Sequence, residues 1–91
     1  MTKHAENCLE HGAQFPFDAP DSWRKNYPNE APPDCPDWAH AAARGVLADL
    51  TDRRGIKQEL VDLDADVRAE LVGSVAEIIR AAHAAEQSRN A

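Results

Sequence analysis

His40, Arg44, Arg53, Arg54 and Lys57 gather five basic side chains into one short stretch of a chain whose net charge is −6. On a helix His40 and Arg44 lie one turn apart on the same face, and Arg53, Arg54 and Lys57 flank Gly55. Where a glycine separates two helices, the first amides of the second helix lack intrahelical partners. Here those are Ile56, Lys57 and Gln58, and with the helix dipole they favour an anion. The planar fork of arginine suits phosphate or carboxylate in such a corner. The expected ligand is therefore an anionic small molecule, such as a nucleotide second messenger. A purely architectural reading competes with this one. Cations at a helix C-terminus offset its dipole, and Asp49 and Asp52 can pair with Arg53 and Arg54 on the surface.

A second set of chemically capable residues is Cys8-x-x-His11 with Cys35 and His40. Two thiols and two imidazoles suit tetrahedral zinc, which would staple the N-terminal segment to the first long helix. Only the first pair has a usual ligand spacing, so the primary expectation is no metal and no cofactor, with both cysteines as thiols. His4 and His83 stand outside both sets. Asp62, Asp64 and Asp66 alternate like a calcium loop, but the glycine and the downstream glutamate that such a loop needs are misplaced, and capping explains them better. No serine or cysteine sits in a nucleophile elbow, no Walker loop is present and no metalloprotease helix occurs, so the chain reads as a binding protein without catalysis.

The 91 residues allow one domain at most, and so short a chain buries little apolar area by itself, which makes a homo-oligomer the expectation. The acidic balance argues against nonspecific DNA binding and against an anionic membrane surface, both of which require a broad basic face. No apolar run could span a bilayer, and the opening Met1-Thr2-Lys3-His4-Ala5-Glu6 lacks the apolar core of a signal peptide, so a cytoplasmic location is expected.

The elements that must position these residues divide the chain in two. Residues 1–34 hold both Phe, the Tyr, one of two Trp and five of six Pro. They show no sustained period and read as an irregular arm, with a short helix from Lys3 to about His11 ended by Gly12. Phe15, Phe17, Trp23 and Tyr27 are too apolar for a disordered tail, so the arm must dock on the body or on a neighbour. Residues 35–88 carry the 3.6-residue period of amphipathic helices.

Asp34 as N-cap predicts a first long helix over 35–54 with a buried stripe of Ala39, Ala43, Val46, Leu47 and Leu50. A short helix over 56–63 follows, and then one over 65–87 with a stripe of Val67, Leu71, Val75, Ile78, Ile79 and Ala82. The expected fold is all-α, a small antiparallel hairpin or three-helix unit. Gly45 with Ala41 and Ala48, and Gly73 with Ala69 and Ala76, place small residues on one face of each long helix, which predicts close helix crossings.

Residues 38–82, with Trp38-Ala39, Ala41 to Asp49, Asp52-Arg53-Arg54-Gly55-Ile56-Lys57 and Asp66-Val67-Arg68 among them, resemble a group of small proteins encoded by tailed phages and prophages. The resemblance implies a phage origin and supplies no mechanism, and no functional residue carries over from it. It raises the expectation of counter-defence. One form is a nucleotide sponge, with Arg44, Arg53, Arg54 and Lys57, helped by His40, holding a phosphate-bearing immune signal. A second is an anti-CRISPR-like inhibitor that contacts a host defence protein through Trp23 and Tyr27, since aromatics are frequent interface anchors. A third is a structural or regulatory accessory protein.

Overall fold

The computed structural model describes residues 3–89 as five helices, α1 (Lys3–Gln14), α2 (Asp21–Asn26), α3 (Trp38–Leu50), α4 (Lys57–Val61) and α5 (Ala65–Arg89), with no strand among the described residues. The all-α expectation holds. The short helix expected from Lys3 to about His11 is present as α1, which runs on to Gln14, whereas α2 adds a helix where only an irregular arm was expected. α3 is central, packed against α1 on one side and α5 on the other. The core joins Phe17 from the N-terminal segment to Ala43 and Leu47 of α3 and Val72 and Ala76 of α5, with Leu50, Leu60, Leu63, Leu71, Val75 and Ile79 packed around them.

The close approach of α1 to α3 has a local cause. A Cβ on Gly12 would lie 2.6 Å from the Arg44 carbonyl carbon and oxygen, and one on Gly45 would lie 3.0 Å from a Leu9 methyl. Two glycines thus let two backbones meet. Gly12 is an interior contact point of α1 rather than its terminator, whereas Gly55, at φ +89°, supplies the left-handed turn that separates α3 from α4. Gly73 crosses nothing within the chain, since a Cβ there meets no atom within 4 Å.

α3 begins at Trp38, three residues after the expected start at 35, because Asp37 rather than Asp34 is the N-cap. Its Oδ1 accepts the His40 amide at 2.9 Å. The same carboxylate takes a bidentate pair from Arg80 of α5, at 2.7 and 2.9 Å, so the start of α3 is tied to the middle of α5. The expected stripes hold at Ala39, Ala43 and Leu47 and fail at Val46, Val67 and Ile78, which are exposed, and at Ala82. Val46 loses its cover because α1 and α5 occupy the other faces of α3. On α5 the buried face is centred on Arg68, Val72 and Ala76, rotated from the expected apolar stripe by the need to bury Arg68. Residues 81–89 extend past the core with every residue exposed.

Two stability measurements check this reading. Gly12→Ala forces backbone apart and is expected to lower the unfolding free energy in urea by about 2 kcal/mol or more, whereas Gly73→Ala, in open space within a helix, is expected to raise it by about 1 kcal/mol. The Arg80 hydrogen bonds, the His40 amide and the Arg80 charge hold the Asp37 carboxyl down at about 2. A depressed folded-state value means stabilisation that is present above the unfolded carboxyl value of about 4 and is lost as pH falls toward 2. Asp37→Asn keeps a capping side chain and is expected to flatten stability against pH within that window.

Candidate functional site

The five cations of the sequence cluster do not converge. Along α3 the rise of about 1.5 Å per residue sets His40 roughly 20 Å and Arg44 roughly 13 Å from Arg53. Arg44 is buried, and its guanidinium is spent within the fold. Nε and Nη2 donate to the two oxygens of Asp18 at 2.9 and 3.2 Å, Nη1 to the Pro33 carbonyl at 2.9 Å, and Nη2 to the Asp34 carbonyl at 3.3 Å. His40 Nε2 sits 3.0 Å from the same Asp18 carboxylate. At the far end of α3, Arg53 pairs with Asp49 one turn back, at 2.9 and 3.2 Å. Arg54 is exposed and makes no ion pair among the described residues. Of the amides expected to be free at 56–58, that of Lys57 already has an acceptor. α4 is a helix of five residues, and the Lys57 amide donates to the Arg53 carbonyl at 3.2 Å.

The architectural reading therefore accounts for His40, Arg44 and Arg53, and leaves Arg54 and Lys57. Burial alone would push the Asp18 carboxyl up, but hydrogen bonds from Arg44 and His40 and the Arg44 charge together carry it below the ordinary carboxylate value.

The interface aromatics are likewise mostly internal. Trp23 is 6% exposed, and its indole N–H donates to the carbonyls of Ala31 at 2.9 Å and Glu30 at 3.2 Å. It packs with Phe15 and Tyr27, whose ring centres lie 4.6 Å apart. Tyr27 remains half-exposed.

Lys57 instead faces a cleft of about 540 Å³, a size ordinary for a small-molecule pocket. Its lining brings together His4, Asn7, Cys8 and His11 of α1, Phe15 and Phe17 just after it, Arg24 of α2, Ala48 of α3 with Thr51 and Asp52 beyond its end, and Lys57 and Val61 of α4. Lys57 has no carboxylate within 4 Å among the described residues. Arg24 is exposed as a residue, yet its guanidinium is drawn inward to the Phe17 carbonyl at 3.1 Å. Partial burial and then the nearby Arg68 charge lower its pKa, with Asp21 opposing them.

A helix was expected at Lys3 to about His11, but its cleft face went unread because the segment has no apolar period to single out one side. Once residues 3–14 are a helix, His4, Cys8, His11 and Phe15 follow one another at spacings of four, three and four and share one face. The tetrad Cys8, His11, Cys35 and His40 is not assembled. The one group of His, Cys and acidic donors close enough to share an ion among the described residues is His4, Cys8 and Asp49. Both cysteines are free thiols. No described helix is long and apolar enough to cross a membrane. Compared with known proteins, the chain matches no family model, no curated protein and no solved structure.

Removing Asp18 tests the assignment of Arg44 to architecture. Asp18→Ala leaves a buried guanidinium short of its carboxylate and is expected to lower the unfolding free energy by about 3 kcal/mol. A change within error of zero in urea melts would release Arg44 for ligand binding.

Proposed function

We propose that the protein is a non-catalytic binding protein that takes a phosphate-bearing nucleotide in the cleft between α1 and α4. The observation that carries this reading is the pairing of two under-compensated cations, Lys57 and Arg24, with an aromatic edge at one cleft. Lys57 and Arg24 would grip the phosphates by charge-assisted hydrogen bonds, and the Phe15 ring, in contact with His11 at 5.3 Å, offers a face on which a base can stack. Asp52 is the acid of the lining and would accept from a sugar hydroxyl or a base amine.

The phage resemblance supplies the biological expression of such binding, which is sequestration of a nucleotide immune signal without turnover. Relative to the sequence expectation, Lys57 stays in the site, Arg24 joins, and Arg44 and His40 leave. Of the residues expected from the sequence, Arg53 and Arg54 also lie outside the cleft lining.

Thermal denaturation of the full chain with a panel of cyclic nucleotides and ADP-ribose derivatives tests the proposal. At least one is expected to raise Tm with a saturating concentration dependence, as a ligand specific to the folded state must. Lys57→Ala removes a side chain that the fold does not use and is expected to weaken that ligand about tenfold, while Arg54→Ala leaves it unchanged. A flat response to the whole panel, or sensitivity at Arg54 with none at Lys57, overturns the cleft assignment.

A further inference from the structure

We propose that His4, Cys8 and Asp49 form a binding site for a divalent transition-metal ion of the zinc class, with its fourth coordination position open to the cleft. The inference does not rest on nucleotide binding. It rests on three chemically different donors, from two helices, that already converge. His4 and Cys8 are one turn apart on α1, with Nε2 and Sγ 3.6 Å from one another. Asp49 comes from the last turn of α3, with Oδ1 2.7 Å from the same Nε2, and all three donor atoms lie within 4.8 Å of one another.

Bond lengths decide whether an ion fits among them. Tetrahedral zinc with Zn–N near 2.0 Å and Zn–S near 2.3 Å separates its nitrogen and sulfur ligands by about 3.5 Å, so the His4–Cys8 edge has the required length. A nitrogen–oxygen edge needs about 3.3 Å, so the His4–Asp49 edge must open by about 0.6 Å. The hydrogen bond now spanning it is the interaction that an ion would replace, and the His4 side chain is 66% exposed and free to turn. On binding, the Cys8 thiol loses its proton to solvent, as does His4 if protonated, and the ion takes lone pairs from Sγ, Nε2 and a carboxylate oxygen.

An imidazole with a thiolate selects zinc-class ions over magnesium or calcium, which require oxygen ligands. Arg53 already holds both oxygens of Asp49 and would serve as the outer hydrogen-bond partner that orients a ligating carboxylate. His4 and Cys8 both line the cleft, so an exchangeable water, or an anion held by the cleft, would complete the tetrahedron.

Cobalt titration into metal-free full chain carrying Cys35→Ser, so that Cys8 is the one thiol, tests the site without any nucleotide present. The expected result is a one-to-one complex with tetrahedral d–d bands and a thiolate-to-cobalt charge-transfer band, displaced by zinc. Cys8→Ser abolishes the charge-transfer band, and His4→Ala and Asp49→Asn each weaken binding about tenfold or more, with circular dichroism confirming retained helix. An octahedral spectrum without the thiolate band overturns the proposal, as does affinity unchanged by His4→Ala and Asp49→Asn. The nucleotide thermal shifts, repeated in chelator, keep the two readings separate. A metal site with no nucleotide shift fails the nucleotide reading alone, and a nucleotide shift with no tetrahedral thiolate spectrum fails the metal reading alone.

Discussion

Two buried guanidinium groups impose the shape of this protein. Arg44 reaches from α3 and Arg68 from α5, and between them they hold the turn that carries Phe17, Asp18 and Ala19. Arg68 donates to the carbonyls of Phe17, Leu63 and Ala19 at 3.1, 2.7 and 3.2 Å and to Asp21 at 2.9 Å. A charge withdrawn from water is tolerated only when its donors are matched, and no buried side-chain nitrogen or oxygen among the described residues lacks a partner. Most of the acceptors are backbone carbonyls and acids of residues 17–34. The N-terminal segment is thus built into the domain, since it supplies every acceptor of Arg44 and all but the Leu63 carbonyl of those of Arg68.

That arrangement sets the position of α1. With Phe17 sunk between α3 and α5, the chain just before it must run back along α3, and Gly12 against Gly45 lets it do so at backbone distance. The consequence is a face of His4, Cys8, His11 and Phe15 delivered beside the C-terminal end of α3, where α4 closes the other side. The cleft and the side chains that line it are products of the packing. They belong to no local motif.

The division of positive charge follows the same logic. Arg44 and Arg68 face the interior and act on the fold, and Arg80 clamps the α3 cap. Arg53 is neutralised by Asp49, one turn away. Lys57 and Arg24 remain at a cleft with a single acid in its lining, which is why the proposed anion site is placed there and not at the helix junction as a whole.

The sequence by itself determined the helical class, the glycine turn at Gly55, the buried positions Ala39, Ala43 and Leu47, and a close crossing at Gly45. Each follows from a short-range rule of periodicity, capping or steric volume, which is complete within a few residues of chain. Lys57 was legible as a ligand candidate for the same reason, being a cation just beyond a helix-ending glycine. Only the tertiary structure decided which other cations are free, because pairings such as Asp18 with Arg44, 26 residues apart, leave no periodic trace. It likewise decided that His4, Cys8 and Asp49 meet, since that contact joins α1 to the end of α3 across 45 residues and depends on the glycine crossing one turn away on each helix.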